Sequence, residues 1–381
     1  MTHARRAPVD HPGTFIVEEL EARKWQQVDL AYILGMKPQQ LSPLLKGRQD
    51  ITPDMAAALG DAFDMPAEFF ANLQKMYDLH KAKPVDPGVR SRASWLAAFP
   101  LREMINRGWI EDAEPALLDL QMLRFFNKNR IEDIPFIGSG AIEAHAAKKS
   151  GGYEAMTPIQ YVWLHRVLKI AAKVEAPLYS ETALRASLPK IRAHLLDKDD
   201  LIRIPEILRQ CGVRFVLVES FPGSKIDGVC VWVGDQPAIG MTTRLDRLDN
   251  FAFVLRHEIE HVLRGDGREN SFAPVDEISS DFVSAADLPD VEKFANKEAA
   301  EFCVPKEQLE SFLLRKGSFI SEQDVISFAA RVDIHPAIVV GQIQHQTKKY
   351  GWLRKYQTGV RSYLFDWKFV DGWDRRFPAD L

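Results

Sequence analysis

The stretch Phe251-Ala-Phe-Val-Leu-Arg-His-Glu-Ile-Glu-His-Val-Leu263 contains the pattern His257-Glu258-x-x-His261. On a helix, residues four apart lie on one face, so both imidazoles can reach a single ion. Glu258 follows the first histidine directly and can point at a water beside that ion. Two histidines and a neighbouring carboxylate on one rigid element are typical of a zinc site, and the pattern therefore predicts Zn²⁺ as the cofactor.

The residues that flank this pattern decide between a metal site and an accidental match. Paired histidines on a surface helix usually have no function. Here the flanking side chains are large and apolar, which predicts a helix buried on most sides. They are Phe251, Phe253, Val254, Leu255, Ile259, Val262 and Leu263. Buried histidine and glutamate side chains need partners, and this favours the metal site.

Composition limits the function of the chain as a whole. Its 381 residues, 46% hydrophobic and 27% charged, are ordinary for a globular protein of two or three domains. The net charge of -4 excludes a chain-wide basic field, so any nucleic-acid binding must depend on a local module. Three cysteines without C-x-x-C spacing predict a reducing compartment. Without a secretion signal or a long apolar run, we expect a cytoplasmic protein with no membrane partner.

The segment 11–80 is predicted to form five short helices. Gly35 ends the second helix as a left-handed C-cap would, and Pro38 suits the first turn of the third. Gly47 ends the third helix, and Thr52 can cap the fourth. Short helices with a glycine-marked turn between the second and third describe a helix-turn-helix domain.

Six short motifs are distributed along this segment. They are His11-Pro-Gly13, Glu18-Glu19-Leu20, Gln27-x-x-Leu30-Ala31-x-x-Leu34-Gly35, Leu41-Ser42-x-x-Leu45-x-Gly47, Ile51-Thr-Pro53 and Asn72-Leu-Gln74-x-x-Tyr77-Asp-Leu79. On these motifs the segment resembles the XRE-type domains of the HigA antitoxin family. The resemblance implies DNA as a partner, with the third helix in the major groove.

The same resemblance implies which side chains contact the DNA. Four of them would face bases or nearby phosphates: Lys37, Gln39, Gln40 and Ser42. Three more would contact backbone phosphates: Gln27, Lys46 and Arg48. Pro43 departs from a regular recognition helix, because proline removes a backbone hydrogen bond and crowds the preceding turn. The alternative is a helical protein-interaction module that does not bind DNA.

The segment 81–197 is predicted to be a linker followed by a mostly helical connector without a catalytic constellation. After it, β-branched and alternating stretches predict three short strands at Val213–Glu219, Gly228–Gly234 and Ala238–Thr242. A turn is expected at 235–237. Asp249 or Asn250 can then cap the helix that carries the two histidines.

The third metal ligand is sought downstream, where acidic residues are plentiful over 266–301. On a helix over about 291–303, Glu292 shares a face with Ala295 and Ala299, and such small residues allow close helix packing. Helical spacing alone favours Glu292 only slightly over its acidic neighbours.

Two segments between Leu201 and Pro305 strengthen that choice. They are Arg256-His-Glu-Ile-Glu-His-Val-Leu263 and Glu292-x-x-Ala295-Asn296-x-x-Ala299-Ala300-x-x-x-x-Pro305. On these segments and the preceding strands, the region resembles the ImmA/IrrE family of metallopeptidases. The resemblance implies a zincin-like domain in which Glu292 is the third zinc ligand and Glu258 the catalytic base. Glu260 and Glu298 depart from the usual residues of that family.

These expectations combine into one organisation. We expect a mainly α fold with a small β-sheet, in the α+β class. The expected regions are a helix-turn-helix domain (11–80), a connector (81–197), a metallopeptidase domain (198–316) and a helical C-terminal region (317–381).

The function expected is that of a DNA-binding transcriptional regulator fused to a zinc-dependent endopeptidase. Such a fusion would cleave a repressor, an antitoxin-type partner or itself in a stress, prophage or toxin–antitoxin system, and a homodimer is compatible with it. The alternative is a HigA-like repressor whose metallopeptidase-like domain senses a ligand or binds a protein without hydrolysis. A third interpretation is an antitoxin that acts through protein interactions alone.

Overall fold

The computed structural model describes residues 9–86, 88–137, 156–268, 288–317 and 319–378. The chain divides into two compact units, the first ending at Asp86 and the second beginning after it. In the described ranges, no helix is long and apolar enough to cross a membrane.

The first unit consists of five helices, in the order that the sequence predicts. They are α1 (Pro12–Arg23), α2 (Gln27–Ile33), α3 (Pro38–Leu45), α4 (Pro53–Phe63) and α5 (Ala67–Lys81). Each helix contributes buried apolar side chains to a single core that includes Ile16, Leu30, Leu41, Leu59 and Phe70. The amide of Gln74 completes this core, because its Oε1 accepts the backbone N–H of Ile51 at 2.9 Å.

Local contacts fix the ends of these helices. His11 caps α1 through Nδ1, which accepts the N–H of Gly13 at 2.9 Å, and Thr52 caps α4 by accepting the N–H of Met55 at 3.2 Å. Gly35, with φ of 63°, ends the turn after α2. A Cβ on Gly13 would lie 2.2 Å from the carbonyl oxygen of Leu44, so glycine allows α1 to meet the end of α3.

The second unit has twelve described α-helices and four strands. The helices are α6 (Gly88–Ala98), α7 (Leu101–Asn106), α8 (Pro115–Phe125), α9 (Pro158–Ala171), α10 (Glu181–His194), α11 (Ile204–Gln210), α12 (Leu248–Arg264), α13 (Asp290–Cys303), α14 (Lys306–Lys316), α15 (Glu322–Val332), α16 (Pro336–Thr347) and α17 (Arg361–Leu364). The strands are β1 (Arg214–Val218), β2 (Gly228–Val233), β3 (Gln236–Met241) and β4 (Val370–Asp371). The predicted α+β class, mainly helical with a small sheet, is confirmed.

The four strands form one mixed sheet in the order β2-β3-β1-β4. Strand β1 runs parallel to β3 and to β4, whereas β2 and β3 pair antiparallel. A two-residue turn, Gly234-Asp235, connects β2 to β3, and Gly234 adopts φ of 64°. The turn expected at 235–237 was placed too late, since Pro237 already pairs with Trp232. Strand β2 is therefore an edge strand.

Alternate side chains of β1 pack against two different layers of helices. Phe215 and Leu217 belong to the core shared with α12, whereas Val216 and Val218 belong to the core shared with α9. Successive side chains of a strand point to opposite faces. The sheet is therefore covered by α12 on one face and by α9 on the other.

The C-terminal segment is helical through α17 and then contributes β4, a strand that the sequence prediction lacks. In β4, Val370 pairs with Leu217 of β1. The carboxylate of Asp371 is buried, and its Oδ2 accepts Nε of Arg166 at 2.6 Å and Nε1 of Trp109 at 2.7 Å. These bonds connect β4 to α9 and to the loop after α7.

Candidate metal centre and nucleic-acid interface

Helix α12 has 17 residues, of which thirteen are buried, as the apolar flanks predict. It begins without a side-chain cap, and the expected capping by Asp249 or Asn250 is wrong. Asp249 instead accepts a hydrogen bond from Nε of Arg247 at 3.0 Å. The helix ends at Gly265, a left-handed C-cap with φ of 72°.

Three side chains from α12 and α13 converge on one point. The Nε2 atoms of His257 and His261 lie 3.0 Å apart. The carboxylate of Glu292 lies 3.2 Å from Nε2 of His257 and 3.5 Å from Nε2 of His261. All three residues are buried, at 1%, 2% and 3% exposure, so water contributes little to their solvation.

This geometry fits a small divalent ion. Bonds of about 2.0–2.2 Å in a tetrahedral site keep two ligand atoms about 3.3–3.6 Å apart. The two Nε2 atoms are 3.0 Å apart, and Glu292 lies 3.2 Å from His257 through Oε2 and 3.5 Å from His261 through Oε1, so the donors lie within a few tenths of an ångström of that spacing. Two imidazoles and one carboxylate are also a donor set that zinc accepts.

The charges of these three groups are strongly coupled. Burial alone lowers the pKa of His261, but the hydrogen bond to Glu292 and the charge of Glu258 raise it to about 9. Burial alone raises the pKa of Glu292, but hydrogen bonds from His257 and His261 lower it to about 2. The glutamate is therefore an anion at neutral pH, as a metal ligand must be, whereas His261 holds a proton that a metal ion would have to displace from Nε2.

Asp266 orients one of the histidines. Its Oδ2 lies 2.9 Å from Nδ1 of His261, the ring nitrogen on the far side from the metal position. A carboxylate that accepts the N–H of one ring nitrogen keeps the other unprotonated for a metal. Sequence reasoning did not predict this role of Asp266, although an acidic residue just after the glycine that ends the helix could have indicated it.

Glu258 lies beneath strand β2. The residue is fully buried, and a Cβ on Gly228 would come within 2.5 Å of its Oε1. The same Cβ would lie 2.8 Å from Cγ1 of Val254. Glycine at the start of β2 therefore gives the carboxylate its space, a role that the sequence analysis did not assign.

Helix α13 approaches α12 through its small residues, as its spacing predicts. Its buried residues are Glu292, Ala295, Ala299 and Cys303. Of the other acidic residues over 266–301, Asp266 contacts Nδ1 of His261 and not the metal position, and those between 269 and 287 are outside the described residues.

Glu260 and Glu298, the two residues that differ from the usual residues of the ImmA/IrrE family, both lie near Arg256. Nη2 of Arg256 lies 2.7 Å from Oε2 of Glu260 and 3.6 Å from Oε2 of Glu298. The side chains of Arg256 and Glu260 are 6% and 5% exposed. An ion pair thus links α12 to α13 beside the metal ligands, and the i, i+4 spacing of Arg256 and Glu260 could have indicated it.

Most of the predicted DNA contacts lie on or next to an open face of α3. Five of the seven side chains are exposed: Lys37, Gln39, Gln40, Lys46 and Arg48. Ser42 and Gln27 are half-buried. Oε1 of Gln40 accepts the N–H of Lys37 at 3.0 Å, which caps α3.

Gln27 joins the two helices of the turn. Its Nε2 donates to the carbonyl oxygen of Pro38 at 2.6 Å, across the turn between α2 and α3. Pro43 lies inside α3, which spans eight residues. Because proline has no N–H, the carbonyl of Gln39 receives no helical hydrogen bond from position 43.

No family model matches the chain, and no curated protein matches it. Among solved structures, similarity extends over 20% of the chain in each of the following three examples. An addiction-module antidote protein of the HigA family from Coxiella burnetii is 34% identical, with 84% of its length covered and a TM-score of 0.20.

The other two structures come from Pseudomonas aeruginosa, and both are 27% identical with TM-scores of 0.19. One is a protein in complex with its operator DNA, 98% covered, and the other is the antitoxin HigA with the higBA promoter, 99% covered. The similarity to each of these three structures is confined to a fifth of this chain.

Proposed function

We propose that this chain is a DNA-binding regulator whose second unit is a zinc-dependent endopeptidase. The observation that carries the peptidase proposal is the convergence of His257, His261 and Glu292 with distances that suit one zinc ion. Glu258, buried on the same helix, is the base. The resemblance to ImmA/IrrE metallopeptidases supports the same roles.

The side chains divide the chemistry between them. His257, His261 and Glu292 would hold the zinc ion, which would supply Lewis-acid polarisation of a scissile carbonyl and would lower the pKa of the attacking water. Glu258 accepts the proton of the attacking water and returns it to the leaving amine. Asp266 holds His261 in the tautomer that leaves Nε2 free for the ion. Gly228, which lacks a Cβ, leaves the space that the carboxylate of Glu258 occupies.

The edge of the sheet supports a peptide substrate. Strand β2 pairs only with β3 within the described sheet, so its outer edge can pair with an added strand. The start of β2 at Gly228 lies against Glu258, which would bring the backbone of such a peptide to the catalytic base. The substrate class is a protein with an extended segment, such as a repressor, an antitoxin-type partner or this chain itself.

Zinc content and cleavage test this proposal together. The wild-type chain is expected to bind one zinc and to cut either a proteome-derived peptide library or its own chain. Glu258→Gln keeps the three ligands and removes the base, so zinc stays and cleavage falls by about 100-fold or more. Glu307→Gln, an exposed glutamate on α14, is the matched control. Equal cleavage, or equal absence of cleavage, in wild type and Glu258→Gln would overturn the peptidase proposal.

One observation favours a second candidate, a zinc site that senses or stabilises without hydrolysis. The ligands are at most 3% exposed and Glu258 is fully buried, whereas hydrolysis requires an open position for substrate. This candidate predicts tight zinc binding, no cleavage, and DNA binding that changes when the metal is removed with a chelator.

For the first unit we propose binding of operator DNA through α3. The exposed side chains of Lys37, Gln39, Lys46 and Arg48 supply an ammonium group just before α3, an amide on the helix and two cations just after it. Amides can read base edges, whereas cations bind phosphates and make affinity salt-dependent. Gln27 supports this surface indirectly, because its amide fixes the start of α3.

A gel-shift series on the chain's own promoter tests the DNA proposal. Gln39→Ala is expected to weaken specific binding by about 1–3 kcal/mol and to relax one base preference. Lys46→Ala is expected to lower the salt slope by about one. Asn72→Ala and Lys75→Ala, exposed on α5, are the matched controls. If neither Gln39→Ala nor Lys46→Ala changes DNA binding, the result would favour the alternative of a protein-interaction module.

A further inference from the structure

A cavity of about 270 Å³ lies in the second unit, on the side of the sheet covered by α9. Helices α8 and α9, the loop at Trp109 and the segment at Phe377 surround it. Its volume approaches the lower limit of small-molecule sites, which begin at about 300 Å³. It is separate from the metal centre, whose ligands are on α12 and α13 on the other face of the sheet.

Positive charge dominates the wall of this cavity. Four cations line it, Arg124, Arg166, Lys169 and Lys173, and none of its described lining residues is acidic. Arg166 is already paired with the buried Asp371 at 2.6 Å. Lys169 is half-buried and lies over the ring of Phe125 at 5.2 Å. In the described part of the chain, Lys169 and Arg124 form no ion pair.

The concentration of cations carries an electrostatic cost. Burial lowers the pKa of Lys169, and Arg166, Arg124 and Lys173 lower it further. The three neighbouring cations thus disfavour the charged form of Lys169, and a bound anion would relieve this repulsion. A lysine in this setting is poised to gain a negatively charged partner.

Apolar surface completes the cavity. Trp109 and Phe125 are 5% and 2% exposed, and Ile110 and Ile170 also line the wall. Trp109 and Phe125 stack with ring centroids 6.1 Å apart and an interplanar angle of 15°. Cations beside aromatic and aliphatic walls suit a ligand with a charged group and an apolar or planar body.

We propose that this cavity is a binding site for a small organic phosphate with a planar ring, the chemical class of nucleoside monophosphates. Arg124, Lys169 and Lys173 bind the phosphate, and the ring lies against the Trp109 side. Arg166 forms the floor and, through Asp371, connects the site to β4 of the sheet. The site is independent of the proposed peptidase activity.

Isothermal titration of the full chain with adenosine monophosphate, inorganic phosphate and adenosine tests the proposal. Saturable binding of the monophosphate is expected, at least about tenfold tighter than either fragment. Lys169→Met removes the charge and keeps the stem, and Arg124→Gln removes a second charge. Each variant is expected to bind the monophosphate about tenfold more weakly or worse, and a tenfold change in affinity corresponds to about 1.4 kcal/mol. Lys190→Met, an exposed lysine on α10, is the control.

Thermal unfolding of the three variants separates lost binding from lost folding, since all are expected to unfold near the wild-type temperature. No binding of the monophosphate at millimolar concentration would overturn the proposal. If inorganic phosphate binds as tightly as the monophosphate, the ligand need not carry a ring, and that part of the proposal fails. If Lys169→Met and Arg124→Gln both bind the monophosphate as tightly as wild type, the binding site is not this cavity.

Discussion

Helices α3 and α12 use polar residues in opposite ways. Helix α3 is eight residues long with only Leu41 and Leu44 buried, and its amides and neighbouring cations lie on the surface. Helix α12 buries thirteen of 17 residues, five of them charged or histidine. Polar groups on α3 are solvated and available to a partner, whereas those on α12 must satisfy one another or an ion. Changes on α3 should therefore alter affinity, and changes on α12 should alter stability and metal binding.

The largest effect is expected at the ion pair beside the metal ligands. Arg256→Ala leaves the buried carboxylate of Glu260 without its 2.7 Å partner and should destabilise the second unit by about 3–5 kcal/mol. Denaturant unfolding followed by tryptophan fluorescence measures this, because only Trp25 of the eight tryptophans lies in the first unit.

A double variant is the control for this prediction. Arg256→Met combined with Glu260→Leu removes both charges, so most of the stability should return. A double variant as unstable as Arg256→Ala would mean that the cost comes from lost packing and not from an unpaired charge.

The next effect concerns the metal. Glu292→Ala removes one of three ligand groups and should weaken zinc binding by about 100-fold or more, since even outer-shell changes cost about 10–100-fold. Competition with a chromophoric zinc chelator measures the affinity. Glu307→Ala, which removes an exposed carboxylate on α14, should leave it unchanged. Zinc affinity that survives Glu292→Ala would exclude Glu292 as a ligand.

A substitution in the first unit should leave the second unaffected. In Gly13→Ala the new Cβ meets the carbonyl of Leu44, so we expect a loss of about 1–3 kcal/mol in the first unit and weaker DNA binding. Amide hydrogen exchange of the helices in the first unit measures the loss of stability, the promoter gel shift measures DNA binding, and zinc binding should stay the same. Glu21→Ala, on the exposed side of α1, is the comparison variant. A wild-type unfolding midpoint would show that α1 and α3 can separate at no cost.

The smallest effect is a pH dependence at the start of α16. Nδ1 of His335 accepts the N–H of Ala337 at 3.1 Å, which requires a neutral ring. Burial lowers the pKa of His335, so its contribution is present above the unfolded pKa of about 6.5 and is lost as pH falls through the folded value.

Between pH 7 and pH 5, wild type should therefore lose at most about 1 kcal/mol relative to His335→Asn, whose amide can cap at either pH. Parallel unfolding curves at the two pH values check this difference. Identical pH dependence of both proteins would show that the cap does not titrate in this range.

Features of both sites that depend on neighbouring residues could be predicted from the sequence, but few contacts between distant segments could. The spacing of His257 and His261 is sufficient for their shared face, because helix geometry fixes it. Glu292 required a family resemblance, since helical phase alone also allows its acidic neighbours. The position of Asp266 depends on the backbone after Gly265, and no periodic pattern encodes that path.

Features that depend on contacts between distant segments could not be predicted, because no local pattern marks them. Strand β4 has two residues and no alternation, so only its pairing with β1 identifies it as a strand. The cationic cavity assembles Arg124 of α8, Lys169 of α9 and Phe377, which are far apart in the chain. By contrast, the five helices of the first unit are marked by local caps and turns, which explains why their order was predicted.

The pairing of β4 with β1 has a consequence for biosynthesis. Asp371 contacts Arg166 across 205 residues and Trp109 across 262 residues. During translation, β1 and the buried guanidinium of Arg166 are made long before their partners leave the ribosome. Until then β1 lies at an edge of the sheet and Arg166 lacks its carboxylate partner, both of which oppose stable folding. The second unit therefore completes its fold late, and a chain that stops before residue 370 should be recognised by proteases as unfinished.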